Sequence, residues 1–99
     1  MPTPRELRRF IRDCVEAAER GDDSTLDIRK HFYRRMARKG LFWGDVMNVL
    51  LDPDRFRIAG QDEDGRIICW LDGVVSRVGR VRVVCSVDWD TRLVTLYWD

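Results

Sequence analysis

Residues 43–71, WGDVMNVLLDPDRFRIAGQDEDGRIICWL, contain the point at which the chain changes from helical to strand periodicity. The first apolar residues of this stretch recur at helical spacing: Val46, Val49 and Leu50. They predict a short helix over about 43–51. Pro53 ends it, because proline has no amide hydrogen to donate and disfavours helix at the residue before it. From Arg55 onward the apolar period is two, which is typical of strands.

The rest of the chain extends this pattern in both directions. Strands are predicted at 55–61, 66–71, 79–88 and 93–98, with turns at 62–65, 72–73 and 89–91. In residues 79–88 the alternation places valines and a cysteine on one face and Arg80, Arg82, Val84 and Ser86 on the other. Because the connections are short and the strands sequential, an antiparallel meander is the expected arrangement.

Two further helices are predicted before residue 43. Thr3 and Glu6 form a capping box, and the following apolar stripe is Leu7, Phe10, Ile11, Cys14, Val15 and Ala18. A second helix is predicted from about Asp27, as its N-cap, to Lys39, with its apolar stripe at Ile28, Phe32 and Met36, broadened by Tyr33 and Ala37.

The predicted fold class is α+β, with two to three N-terminal helices packed on one face of a three- to four-stranded antiparallel sheet. Residues 1–99 form one domain, with a helical extension at about 3–20.

Composition narrows the class of protein. The 99 residues carry a net charge of +1, with 44% hydrophobic and 35% charged residues, which favours one folded domain over a disordered chain. The three cysteines, Cys14, Cys69 and Cys85, have no metal-ligand spacing and are predicted to be reduced core thiols. The first residues lack the apolar segment of a signal peptide and no apolar run has membrane-spanning length, so we expect a cytoplasmic protein. Because the sequence has neither a glycine-rich phosphate loop nor a cysteine–histidine cluster, we expect no cofactor and no metal.

The second predicted helix is strongly basic. Between residues 28 and 40 there are seven basic side chains, counting the histidine, and no acidic one. His31, Arg34, Arg35 and Arg38 share one helix face, where like charges destabilise an isolated helix. Acidic residues of the first helix, Asp13 and Glu16 for instance, would offset this charge, and so would an anionic ligand such as RNA phosphate. The sequence leaves both alternatives open, and codon bias is an equally simple source of the many arginines.

His31 is the only histidine, and histidine is the side chain that most readily exchanges a proton near neutral pH. Metal-independent RNA cleavage requires a proton to leave the 2′-hydroxyl and another to reach the leaving oxygen, and arginines can hold the phosphate meanwhile. A structural histidine is the alternative interpretation.

A second basic group consists of Arg77, Arg80 and Arg82, with Arg66 on an adjacent strand. We expect these arginines to meet those of the basic helix in one anion site, or else to face water as solubilising residues. Among the late aromatic residues, Trp70 and Trp98 are predicted to pack in the core or within a hairpin. Tyr97 lies on the face opposite Trp98 and is the better site candidate, since its hydroxyl needs a polar partner.

The chain resembles an uncharacterised small-domain family of the RelE/ParE-like toxin superfamily, near MqsR and BrnT, over about residues 26–98. The residues that carry the likeness are His31, Arg35, Met36, Lys39, Gly40, Leu41, Asp45, Val46, Val49, Leu50 and Pro53, followed by a glycine-bearing hairpin and the closing strand 94–98. The resemblance implies a RelE-like sheet backed by helices, mRNA cleavage without metal, on or off the ribosome, and a cognate antitoxin as partner.

Carried over residue by residue, the resemblance assigns catalysis to His31, Arg35, Arg82 and Tyr97. Arg34, Arg38, Arg66, Arg77 and Arg80 are the expected RNA contacts. The chain departs from the pattern of its relatives at two strand positions, where Cys69 stands for a glutamine and Arg82 for a tyrosine, and the predicted sheet has no lysine.

Three functions therefore follow from the sequence. The first is an endoribonuclease of a toxin–antitoxin system. The second is a non-catalytic module that binds RNA or an acidic protein segment on the same fold. The third is a structural protein whose charges only keep it in solution. A homodimer is a further expectation, and the first helix either covers the site or forms part of a dimer contact.

Overall fold

The computed structural model describes residues 1–98, which form three helices and five strands. In chain order the elements are α1 (Pro4–Glu19), β1 (Leu26–Ile28), α2 (Lys30–Arg38), α3 (Trp43–Leu51), β2 (Arg55–Gln61), β3 (Ile67–Val75), β4 (Gly79–Asp88) and β5 (Leu93–Tyr97). The α+β class predicted from the sequence is confirmed.

The strands form one sheet in the order β1-β5-β4-β3-β2. β2 to β5 are antiparallel neighbours, but β1 runs parallel to β5, so the expectation of three or four purely antiparallel strands is wrong. Asp27 lies in β1 and does not cap a helix. α2 instead begins after Arg29, which makes no side-chain capping hydrogen bond. The sequence does not predict β1, because three residues are too few to establish an apolar period. Its pairing with β5 also joins distant parts of the chain.

The hairpin between β3 and β4 also differs from the prediction. β3 continues through Asp72 and Gly73 to Val75, and the turn follows it at residues 76–78. Gly73 is explained by packing, since a Cβ built there would lie 2.9 Å from Cγ2 of Val49 in α3. A glycine within a strand can mark a close approach as well as a turn.

The core lies between the helices and one face of the sheet, called the inner face here. α1 contributes four buried residues to this core: Leu7, Ile11, Cys14 and Val15. It is therefore an integral part of the packed structure. The predicted capping box is confirmed, with Glu6 N–H donating to Thr3 Oγ1 and Thr3 N–H donating to the Glu6 carboxylate, both at 3.1 Å. All three cysteines are free and buried.

The opposite face of the sheet is called the outer face. It carries the alternate residues of β4, namely Arg80, Arg82, Val84 and Ser86, as the sequence predicts. All buried residues of the three helices belong to the hydrophobic core cluster that contains the inner-face side chains. Val84 is not a member of this cluster. Val84 is nonetheless only 2% exposed, and its register partners are Trp70 and Tyr97. Trp70 is thus a half-buried outer-face residue that pairs across the β3–β4 hairpin, which is the second of its two predicted environments.

Candidate functional site

A cleft of about 530 Å³ opens between the start of α2 and the end of β5. Its lining residues are Arg29, Lys30, His31, Arg35, Tyr97 and Trp98. The topology explains why they meet. Ile28 of β1 pairs with Leu96 of β5, and only Arg29 separates β1 from α2, so the first turn of α2 is placed beside the last residues of β5.

α2 is held over this end of the sheet mainly by one side chain. Phe32 is fully buried, and its ring centroid lies 4.7 Å from that of Trp98 and 6.5 Å from that of Trp43. Trp98 therefore packs against the core, as predicted. The apolar stripe of α2 is narrower than the sequence suggests, because Tyr33 is 49% exposed and Ala37 is also exposed. With Phe32 fixed inward, His31 and Arg35 both reach the cleft.

Arg35 is oriented by the backbone of the opposite wall. Its Nη1 donates to the carbonyl oxygen of Trp98 at 3.3 Å. A carbonyl is an uncharged acceptor, so this bond orients the guanidinium without neutralising it. A guanidinium has five N–H donors in a fixed plane, which suits bidentate contact with phosphate.

Little within the described part of the chain compensates the positive charge of α2. Within residues 1–98, no carboxylate lies within ion-pair distance of Lys30, Arg34, Arg35 or Arg38. The alternative in which Asp13 and Glu16 neutralise α2 is not observed, since Glu16 pairs with Arg12 of its own helix at 3.0 Å. At the edge of the cleft, Arg29 pairs loosely with Asp27 at 3.7 Å.

The first turn of α2 adds to this positive potential. It contains no acidic residue, and no side chain caps its backbone N–H groups. The positive end of a helix dipole normally favours anions, so the placement of the Lys30 cation there is electrostatically unfavourable in the isolated protein. An anion bound in the cleft would relieve it.

The strand arginines occupy a different cavity. Arg80 and Arg82 line a second cleft of about 270 Å³ together with Asp72 and Val81. Arg82 donates to both carboxylate oxygens of Asp72, at 2.8 and 3.2 Å, and this hydrogen bonding lowers the pKa of Asp72. The expected single anion site is therefore divided in two. Both clefts lie at the same end of the sheet, because Tyr97 pairs with Val84, two residues beyond Arg82.

Arg77 lies outside both clefts and contacts the loop before α3. Its guanidinium donates to the Asp45 carboxylate and, at 3.2 Å, to the Gly40 carbonyl, and it lies 4.9 Å from the Phe42 ring centroid. These contacts fasten the β3–β4 hairpin to the loop before α3. The Phe42 N–H and then Arg77 lower the pKa of Asp45.

Arg66 lies far from the cleft. It precedes β3, whose first residue Ile67 pairs with Val87 at the end of the sheet opposite Tyr97. There it is close enough to help lower the pKa of Asp88, after the larger effect of the Thr91 N–H.

Of the residues predicted as catalytic, the structure thus brings together His31, Arg35 and Tyr97, and places Arg82 in the neighbouring cleft. Arg34 and Arg38 lie on α2 but do not line the cleft. The prediction did not include Arg29, Lys30 and Trp70 among the site residues. Strand alternation carries a signal for Trp70, since Cys69 and Leu71 are buried and Trp70 must then point the other way.

No protein-family model matches this sequence, and comparisons with curated proteins and with solved structures return no significant match. No helix within residues 1–98 is both long and apolar enough to cross a bilayer. The same residues include no group of three or more histidine, cysteine or acidic side chains that would hold a metal ion.

Proposed function

We propose that this protein binds single-stranded RNA and cleaves it, without a metal ion, at the cleft between α2 and β5. The proposal depends on one observation, which is that three side chains line the same cleft: His31, Tyr97 and Arg35, whose guanidinium is oriented by a hydrogen bond. The resemblance to RelE/ParE-like toxins, which rests on the sequence, points to the same chemistry.

The proposed reaction is an intramolecular transesterification. His31 accepts the proton of the RNA 2′-hydroxyl, and the resulting oxygen attacks the adjacent phosphorus. The bond to the 5′-oxygen breaks, and that oxygen takes a proton from water, leaving a 2′,3′-cyclic phosphate and a 5′-hydroxyl. Arg35 stabilises the negative charge that develops on the phosphate oxygens, and the Tyr97 ring orients the sugar or base beside it.

Cleavage of a labelled single-stranded RNA in the presence of a chelator tests this proposal. Removal of a general base typically lowers a rate by about 100- to 10,000-fold, and we expect a loss of this size for His31→Gln. Arg35→Ala is expected to reduce cleavage by a factor of about 100 or more, with partial recovery in Arg35→Lys, which keeps the charge but loses the planar fork.

Arg20→Ala is the matched control, because Arg20 lies at the C-terminal end of α1 and does not line the cleft. It should cleave like the wild type. Retention of the wild-type rate by His31→Gln, or products with a 3′-hydroxyl, would rule out the proposed chemistry.

RNA binding without cleavage is the second candidate, and one observation favours it. Arg77 and Arg82 are each held by a carboxylate, and Arg80 lines the neighbouring cleft. Among the described residues that line the α2–β5 cleft, none therefore comes from the β3–β4 hairpin, and His31 is the only imidazole. Under this alternative, RNA bound by the wild type remains intact, and His31→Gln binds it as tightly.

A toxin function would also require a cognate antitoxin protein and action in the cytoplasm. Induced expression in a bacterium provides the cellular test. Growth arrest with shortened mRNA, abolished by His31→Ala and by Arg35→Ala, is the expected result, and normal growth with intact transcripts is the contrary one.

A further inference from the structure

One row of side chains crosses the outer face from the cleft to the opposite edge strand. Tyr97 of β5 pairs with Val84 of β4, Val84 pairs with Trp70 of β3, and Trp70 pairs with Arg57 of β2. Directly opposed residues in a sheet point to the same face. The row therefore begins at the wall of the cleft, which Tyr97 also lines, and continues to a second aromatic ring two strands away.

Trp70 is held in a fixed position within this row. The Arg82 guanidinium carbon lies 4.2 Å from the centre of its ring, and the two hydrogen bonds to Asp72 fix that guanidinium in turn. The indole remains half-buried and the Arg82 side chain is 46% exposed. Together they form a rigid surface, partly open to solvent, of a flat ring and a flat cation.

The charge around Trp70 indicates the kind of ligand that fits. Arg82, Asp72 and Arg55 form the adjacent row across β4, β3 and β2, and Arg80 follows beyond it. With Arg57, the described strand residues around the indole therefore include four guanidinium groups and one carboxylate. Flat aromatic and guanidinium surfaces among positive charges are the features by which proteins bind unpaired bases on a phosphate backbone.

We infer that Trp70 and Arg82 form a stacking site for an unpaired base of the same RNA whose backbone enters the α2–β5 cleft. This inference rests on the proposed RNA binding and adds the route of the strand, which runs from the cleft past Tyr97 and Val84 to Trp70. The site recognises the face of a base, so it accepts any of the four bases.

The test measures binding of a labelled oligouridine, with inorganic polyphosphate as a competitor that has the charge but no bases. Trp70→Ala should weaken RNA binding by about 5- to 150-fold and leave polyphosphate binding unchanged, since stacking acts only on bases. Trp70→Phe keeps a ring and should retain most of the affinity. Phe42→Ala is the matched control, because Phe42 is also an exposed ring beneath an arginine but lies outside the row.

Ultraviolet crosslinking of the wild-type protein to oligouridine gives a second readout that does not depend on a variant. Trypsin cleaves after Arg66 and Arg77, and the peptide between them contains Trp70. We expect a uridine adduct on this peptide and none on the peptide that contains Phe42. If Trp70→Ala fails to fold, the crosslink decides.

The contrary outcomes separate the two proposals. If the wild type binds RNA no more tightly than polyphosphate of equal charge, RNA binding as a function fails, and the stacking site with it. If the wild type prefers RNA but Trp70→Ala binds it equally well, or the crosslinks avoid residues 67–77, only the stacking site is wrong. An equal loss of RNA and polyphosphate binding would show that Trp70 acts through structure or charge.

Discussion

Two arginines at the same end of the sheet differ in what holds them, and that difference determines what each can do. Arg35 donates to a carbonyl oxygen, which is an uncharged acceptor, whereas Arg82 donates to the carboxylate of Asp72, which offsets its charge. The first can meet a phosphate without losing an ionic partner. The charge of the second is already offset by the Asp72 carboxylate, so a phosphate would gain less from it, and its role is better explained as support for the Trp70 ring.

Gly73 offers a test of the packing at the residue scale. Gly73→Ala places a Cβ 2.9 Å from Val49, and overpacking of this kind typically costs about 1 to 3 kcal/mol of the free energy of unfolding. Urea denaturation measures the change. Gly44→Ala is the control, since a Cβ there meets nothing within 4 Å and alanine favours the helix, so stability should rise or stay level. Equal stability of Gly73→Ala and the wild type would contradict the tight approach of α3 to β3.

At the scale of elements, the sequence predicts what is periodic and local. α1, α3 and β2 follow from their caps, stripes and alternation, as does the division of β4 into two faces. β1 and the parallel pairing do not, because Leu26–Ile28 becomes a strand only through its hydrogen bonds with β5, about 70 residues away. The same limit applies to the site. Helical spacing pairs His31 with Arg35, but Tyr97 reaches them only because β1 lies beside β5.

The pairing of β3 with β4 makes a prediction about pH. The pKa of Asp72 is lower in the folded protein, chiefly through its hydrogen bonds with Arg82, so its contribution to stability is present above the unfolded pKa of about 3.9. This contribution disappears as the pH falls through the lower folded pKa. Because the Arg82 side chain is 46% exposed, solvent screening limits it to about 1 kcal/mol or less.

Asp72→Asn should therefore unfold at a lower urea concentration than the wild type at pH 7, and the gap should close as the pH is lowered below about 4. Asp13→Asn removes an exposed carboxylate of α1 that has no ion-pair partner within residues 1–98, and should show little difference at either pH. A gap between Asp72→Asn and the wild type that persists undiminished in acid would mean that the amide disturbs packing instead.

Over the whole molecule, a net charge of +1 conceals an uneven distribution. Within residues 1–98, Lys30, Arg34, Arg35 and Arg38 of α2 and Arg55, Arg57 and Arg80 of the outer face have no carboxylate at ion-pair distance, whereas Arg12 of α1 is paired with Glu16. A polyanion approaching this protein therefore meets a positive surface that the total charge does not indicate. Electrostatic and stacking contributions to RNA binding should then be separable by salt.

The salt dependence of RNA binding provides that separation. For single strands, the logarithm of the binding constant falls with the logarithm of salt concentration with a slope of about −0.7 per neutralised phosphate, so contact with about four phosphates gives a slope near −3. Arg35→Ala should make this slope shallower by about 0.7, because one cation is lost from the cleft. Trp70→Ala should lower the affinity at every salt concentration with the slope unchanged, because a stacked ring displaces no counterion. Arg12→Ala should change neither quantity, and a slope that responds to Arg12 as strongly as to Arg35 would mean that RNA contacts the protein without preference for this end of the sheet.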